Sequence, residues 1–159
     1  VTVGSSRIVN SPFALSGLFA GLSSLVIFLY PSIIGVSVYR DFKSEMHTIL
    51  YSYPFTKLEY LLAKFFSGIF VVHIIVLLIA LGIGLGFNLP GTNPDLLTEF
   101  DIKPYLDAYI IYILPNMLFT GAIVFGIVTF TRNISAGFIF VIIILILQGF
   151  LASLSLIHI

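Results

Sequence analysis

Half of the chain's charged side chains, Arg40, Asp41, Lys43, Glu45, Lys57, Glu59 and Lys64, fall between Tyr39 and Phe65, with long apolar stretches on either side. Charges of both signs gathered on one polar segment suit the docking of a partner. They do not form a recognisable catalytic set. The chain has no H-E-x-x-H for zinc, no G-x-S-x-G nucleophile elbow and no G-x-x-x-x-G-K-[ST] phosphate loop. It is therefore not expected to be an enzyme, nor to hydrolyse ATP itself by the usual route. It has no cysteine, which excludes disulfides, thiolate metal sites and a cysteine nucleophile. No bound metal or cofactor is expected. His73 lies inside an apolar run, where ionisable groups are costly and often functional. It either lines a path for a solute or packs as a neutral, hydrogen-bonded residue, and the second reading is preferred. Asn116 and Gln148 are expected to bond between helices, a modest stabilising contact in membranes.

The segment that carries these charges has a period. Phe42, Met46, Ile49, Leu50 and Tyr53 recur at i, i+4, i+7, i+8 and i+11, one face of a short helix. Asp41, Lys43, Ser44, Glu45, Thr48 and Ser52 cover the other face. The expectation is an amphipathic helix over 41–53, lying along a membrane surface. Pro54 ends it, because proline lacks the N–H and clashes with the preceding turn. Thr56 and Glu59 form a T-x-x-E capping box that starts the next helix at once.

Composition sets the class. The 159 residues are 59% hydrophobic and 9% charged, with a mean hydropathy of +1.16. Soluble domains are about 25% charged, so this chain cannot cover a water-facing surface. An all-α polytopic membrane protein is predicted. A net charge of zero argues against a nucleic-acid partner. About 20 apolar residues cross a hydrocarbon core, and four runs qualify: 13–38, 61–87, 108–130 and 134–153. Pro31 and Pro115 are expected to kink or unwind their spans. Gly17 with Gly21, and Gly82 with Gly86, satisfy G-x-x-x-G, a pattern that permits close helix contact. Tyr105, Tyr109 and Tyr112 suit an interfacial aromatic belt. Arg40, Lys43, Lys57, Lys64 and Arg132 fall on one side of the four spans, and only Arg7 and Lys103 on the other. The excess of basic residues puts the amphipathic segment in the cytoplasm.

Both ends read as cut. The chain begins at Val1, and Leu154–Ile159 spell LSLIHI, the translation of a common sequencing-adapter end. These last six residues are expected to be adapter read-through, so His158 carries no functional weight.

The order of features resembles the core of a type-2 ABC transporter permease (the ABC-2 membrane family). Arg40-Asp41 follows a span, Ile49-Leu50-Tyr51-Ser52-Tyr53-Pro54 matches the coupling helix and its proline turn, and Tyr60-Leu61-Leu62-Ala63-Lys64-Phe65 opens the next span. Val9-Asn10-Ser11-Pro12-Phe13, Leu114-Pro115-Asn116-Met117-Leu118-Phe119 and Thr131-Arg132-Asn133 are similar to permeases of the Bacteroidota. Some of those carry a zinc aminopeptidase domain further along. The resemblance runs from about Val9 to Ser153 and rests on a pattern of spans and turns. It implies a permease fragment, most simply of an exporter in a bacterial inner membrane, paired with a second permease copy or homologue. It also implies a cytoplasmic ABC ATPase that binds the ATP and Mg and grips the surface helix. Arg40, Asp41, Phe42, Lys43, Glu45, Met46, Ile49, Leu50, Tyr53 and Pro54 would then couple to that ATPase. Two other readings stay open. One is a proton-coupled secondary transporter using His73; the other is a membrane scaffold that recruits a cytoplasmic partner.

Overall fold

The computed structural model describes residues 9–46, 49, 54, 56–87, 89–90, 96–97 and 99–157. Among these the regular structure is all helical. Helix α1 runs Pro12–Val26, and α2 Val36–Lys43. Helix α3 spans Lys57–Gly86, α4 Lys103–Ala108, α5 Leu114–Thr131 and α6 Ile134–Ile157. Two π-helical turns join neighbours, Tyr30–Gly35 before α2 and Tyr109–Ile113 between α4 and α5.

Among the described residues, three stretches are long and apolar enough to cross a membrane: Lys57–Gly86, Lys103–Thr131 and Ile134–Leu154. At 30 residues, α3 is about 45 Å long against a hydrocarbon core of about 30 Å. This is a membrane protein. The stretch expected as the first span is not one such helix. It is interrupted at Ile27 and Phe28, leaving Pro12–Val26 and Tyr30–Lys43, which reach spanning length only if the pair counts as one broken span.

Local sequence accounts for the helix starts. Ser11 caps α1, its Oγ accepting from the Ala14 N–H, with Pro12 at the first helical position. Asn133 does the same for α6 by accepting from the Ser135 N–H at 2.9 Å. The π turns lie at the two prolines: Pro31 is inside the first, and Pro115 follows the second by two residues. A proline deprives the turn before it of one N–H, and the helix relaxes there by widening.

The chain packs as two compact units, 1–26 with 73–118, and 27–72 with 119–159. In the first, Leu15, Phe19, Val76, Ile113 and Met117 are buried. In the second, Ile27, Tyr30, Ile34, Val38, Val72, Val124, Val128 and Val141 form the core. Glycines let its helices approach. A Cβ on Gly68 would stand 3.0 Å from the Ile34 Cα, and one on Gly137 would stand 2.8 Å from Val128 Cγ2. Gly17, Gly21, Gly82 and Gly86, by contrast, have nothing within 4 Å of where a Cβ would be. The close contacts thus belong to isolated glycines that carry no spacing pattern. Gly68→Ala is expected to destabilise the protein by about 1–3 kcal/mol, because Ile34 backbone has to move. Gly17→Ala should be neutral or gain up to about 1 kcal/mol in helix propensity. Denaturation of both variants in detergent, followed by helical circular dichroism, measures the difference.

Candidate functional site: the basic polar end

The second unit brings three polar pieces together: the end of α2, the start of α3 and the link between α5 and α6. Ile34, Val38 and Asp41 all point inward, at spacings of four and three, so Asp41 continues the buried stripe of its helix. Asp41 is 8% exposed as a residue, so its carboxylate needs compensation. Two residues one turn apart on α3 supply it. Tyr60 Oη donates to Asp41 Oδ2 at 2.5 Å, and Lys64 Nζ stands 2.7 Å from the same oxygen. Lys64 also lies 5.8 Å from the Tyr60 ring centroid. Arg132, in the α5–α6 link with a φ of 52°, holds its guanidinium 4.9 Å from the centroid of the Phe42 ring.

Asp41 was expected on the outward charged face of a helix over 41–53. The structure corrects this. Helix α2 ends at Lys43, the Ser44 N–H and hydroxyl both turn back to the Arg40 carbonyl, and Glu45 takes a φ of 55°. The phase that mattered was that of the helix arriving from Ile34. Arg40, Lys43 and Glu45 are exposed, Phe42 is half-buried, and Met46 and Ile49 are exposed at 46% and 56%. Pro54 is exposed as well; Leu50 and Tyr53 lie outside the described residues.

Beyond Pro54 the capping box is complete. Glu59 Oε2 accepts from the Thr56 N–H at 2.7 Å and from its hydroxyl at 2.9 Å, while the Glu59 N–H donates to Thr56 Oγ1 at 3.2 Å. The segment between Lys43 and Thr56 therefore leaves from a clamped helix end and returns to a capped helix start.

The first unit holds the other singled-out polar residues. His73 Nδ1 and the Tyr109 hydroxyl are 2.7 Å apart, with the rings edge-to-face. That is a satisfied pair within the packing. Asn116 Nδ2 donates to Ser23 Oγ, and the Ser23 hydroxyl donates to the Tyr112 carbonyl at 3.0 Å. Tyr112 is in the π turn, so α1 supplies a side-chain donor where the regular ladder is disturbed. Ser23 was not singled out from sequence; the signal was a pair of serines, Ser23-Ser24, inside an apolar run. Gln148, expected to bond between helices, is exposed on α6. No family model, curated protein or solved structure matches the chain.

The clamp should behave as one unit under mutation. Removing one member of a buried ion pair strands the other, so Asp41→Ala is expected to cost about 2–3 kcal/mol, less than in a fully buried pair because Lys64 keeps 27% of its side chain exposed. Lys64→Ala strands the more buried Asp41 and should cost at least as much, and Tyr60→Phe about 1 kcal/mol. A double-mutant cycle over Asp41 and Lys64, read by unfolding in detergent, is expected to give a coupling of about 1–2 kcal/mol. Additive losses would mean that the pair is not coupled.

Proposed function

We propose that the chain is part of the membrane-spanning permease of an ABC-2 type transporter, which passes the motion of a partner ATPase to its spans. The observation that carries the reading is the segment from Lys43 to Thr56, anchored at both ends in the second unit. A push delivered to such a segment reaches α2 through the Asp41–Lys64–Tyr60 clamp. It reaches α3 through the Thr56–Glu59 cap. Lys43 and Glu45 offer exposed charge to the partner, and Met46 and Ile49 offer exposed apolar surface. The partner ATPase binds the ATP and Mg, and a second permease copy or homologue completes the pathway.

In this reading the interrupted pair Pro12–Val26 and Tyr30–Lys43 counts as the first of four spans. The basic end faces the cytoplasm of a bacterial inner membrane. Arg132 beside Phe42 supports that topology, because the end of α2 and the link between α5 and α6 meet there and both carry basic residues. The His73–Tyr109 bond favours a packing role for the histidine over proton-coupled transport. A scaffold that merely recruits a partner would use the same exposed residues, and ATPase identity separates the two.

The test is site-specific photocrosslinking. A crosslinkable residue placed at Met46, in tagged protein expressed in its source cells, should capture a protein bearing a phosphate-loop ATPase motif. Lys43→Glu should lower the yield several-fold while membrane insertion is unchanged, as expected for a rim charge. Capture of partners none of which is an ATPase would refute the reading.

A further inference from the structure

Helix α5 ends at Thr131 and α6 begins at Ile134, so Arg132 and Asn133 alone link two stretches of spanning length. Asn133 is occupied with capping α6. Arg132 turns the chain with a φ of 52°, a left-handed conformation that glycine or asparagine takes with less strain. The turn itself gives no reason for an arginine. The side chain supplies one. Its guanidinium stands over the Phe42 ring of α2, 4.9 Å from the centroid, which fixes the plane of the group. An aromatic ring engages the face of a guanidinium and leaves its N–H donors at the edge. None of these donors has a partner among the described residues, and Arg132 is exposed.

Depth and charge say what those donors meet. A two-residue link cannot rise far above the helix ends it joins, so Arg132 lies within the headgroup layer, about 5–8 Å thick in each leaflet. Phe130, on the last turn of α5, is 91% exposed, an apolar surface suited to acyl chains. Arg40 and Lys43, on the same turn of α2 as Phe42, are exposed. Of the acids at this end, Asp41 is held by Lys64 and Tyr60, and Glu59 by Thr56. Glu45 remains against Arg40, Lys43 and Arg132.

We propose that Arg132, seated on Phe42, binds the phosphate of an anionic glycerophospholipid, with Arg40 and Lys43 supplying the surrounding positive field. The planar fork of a guanidinium offers two N–H donors to two phosphate oxygens. A zwitterionic headgroup carries an ammonium into the same field, so the balance favours the anionic lipid. The exposed Phe130 ring gives the lipid tail a contact that free phosphate cannot use. The site rests on the spans and on the packing of the second unit. It stands whether or not an ATPase docks on the neighbouring segment.

Native mass spectrometry tests this on the full chain, reconstituted in vesicles of equal phosphatidylethanolamine and phosphatidylglycerol and extracted in mild detergent. Wild type should retain one phospholipid per protomer, mainly phosphatidylglycerol. Arg132→Gly relieves the backbone while removing the fork. It is expected to keep its helical signal and to cut the retained phosphatidylglycerol by about tenfold. Phe42→Leu removes the ring that seats the guanidinium and should cut it several-fold. Lys103→Gln removes one exposed positive charge from the first unit and should retain lipid as wild type does. Excess inorganic phosphate during extraction should displace nothing. Equal retention by wild type and Arg132→Gly, or an equal loss in Lys103→Gln, would overturn the site. A retained population no richer in phosphatidylglycerol than the vesicle would do the same, and displacement by inorganic phosphate would overturn the lipid as its occupant. If Arg132→Gly loses its helical signal, Phe42→Leu and the wild-type headgroup competition still decide.

Discussion

Lipid tails are as apolar as leucine, so burying one helix against another gains little of the hydrophobic drive that holds a soluble core together. What remains is shape, through dispersion between backbones that come close, and hydrogen bonding between the few polar groups present. Everything specific in this chain answers to that constraint. Ile34 is the centre of the second unit because glycines from two helices meet it: Gly68 of α3 approaches its backbone, and Gly121 of α5 its side chain. Val128 is held similarly, with Gly35 and Gly137 against its methyl groups. Large apolar residues elsewhere, such as Phe13 and Phe130, stay exposed without penalty once lipid is the solvent.

Polar contacts then do what apolar burial cannot, and their placement follows from where backbone regularity fails. The π turn at Tyr109–Ile113 precedes Pro115, and there Ser23 and Asn116 form a short chain that ends on the Tyr112 carbonyl. At the polar end, α2 arrives with an inward carboxylate, which is tolerable only because α3 presents a hydroxyl and an ammonium one turn apart. Truncating Asp41 would leave Lys64 half-screened beside an apolar wall, so the two positions constrain each other.

How much of this was legible in the sequence depended on the range of the signal. The helical class and the three long spans followed from composition and run length, both local quantities. The Thr56–Glu59 cap was readable because its partners are three residues apart in the chain. Asp41 was misplaced because a window opening at residue 41 fits Phe42, Met46 and Ile49 to one face, whereas the helix inherits its phase from Ile34 and Val38. The turn at Ser44–Glu45 interrupts the period at a point where no glycine or proline marks it. The important glycines were missed for a similar reason. Gly68 and Gly137 matter through what faces them, and a spacing rule within one helix cannot see a neighbour on another.

The same constraint bears on the coupling role proposed for the two helix ends that flank residues 44–55. Helices that adhere weakly across lipid would dissipate a push at their ends if those ends were free to fray. Here the end of α2 is tied to α3 by a charge-assisted contact, and the start of α3 is closed by reciprocal hydrogen bonds. In the proposed coupling role, a displacement would therefore arrive at helix ends that are tied and not frayed. Inside the second unit, the first thing such a movement strains is the close packing of Gly68 on Ile34, where there is no side-chain slack to absorb it. A glycine contact of that kind either holds its register or slides to another, and that discreteness is what a mechanical switch between two arrangements requires.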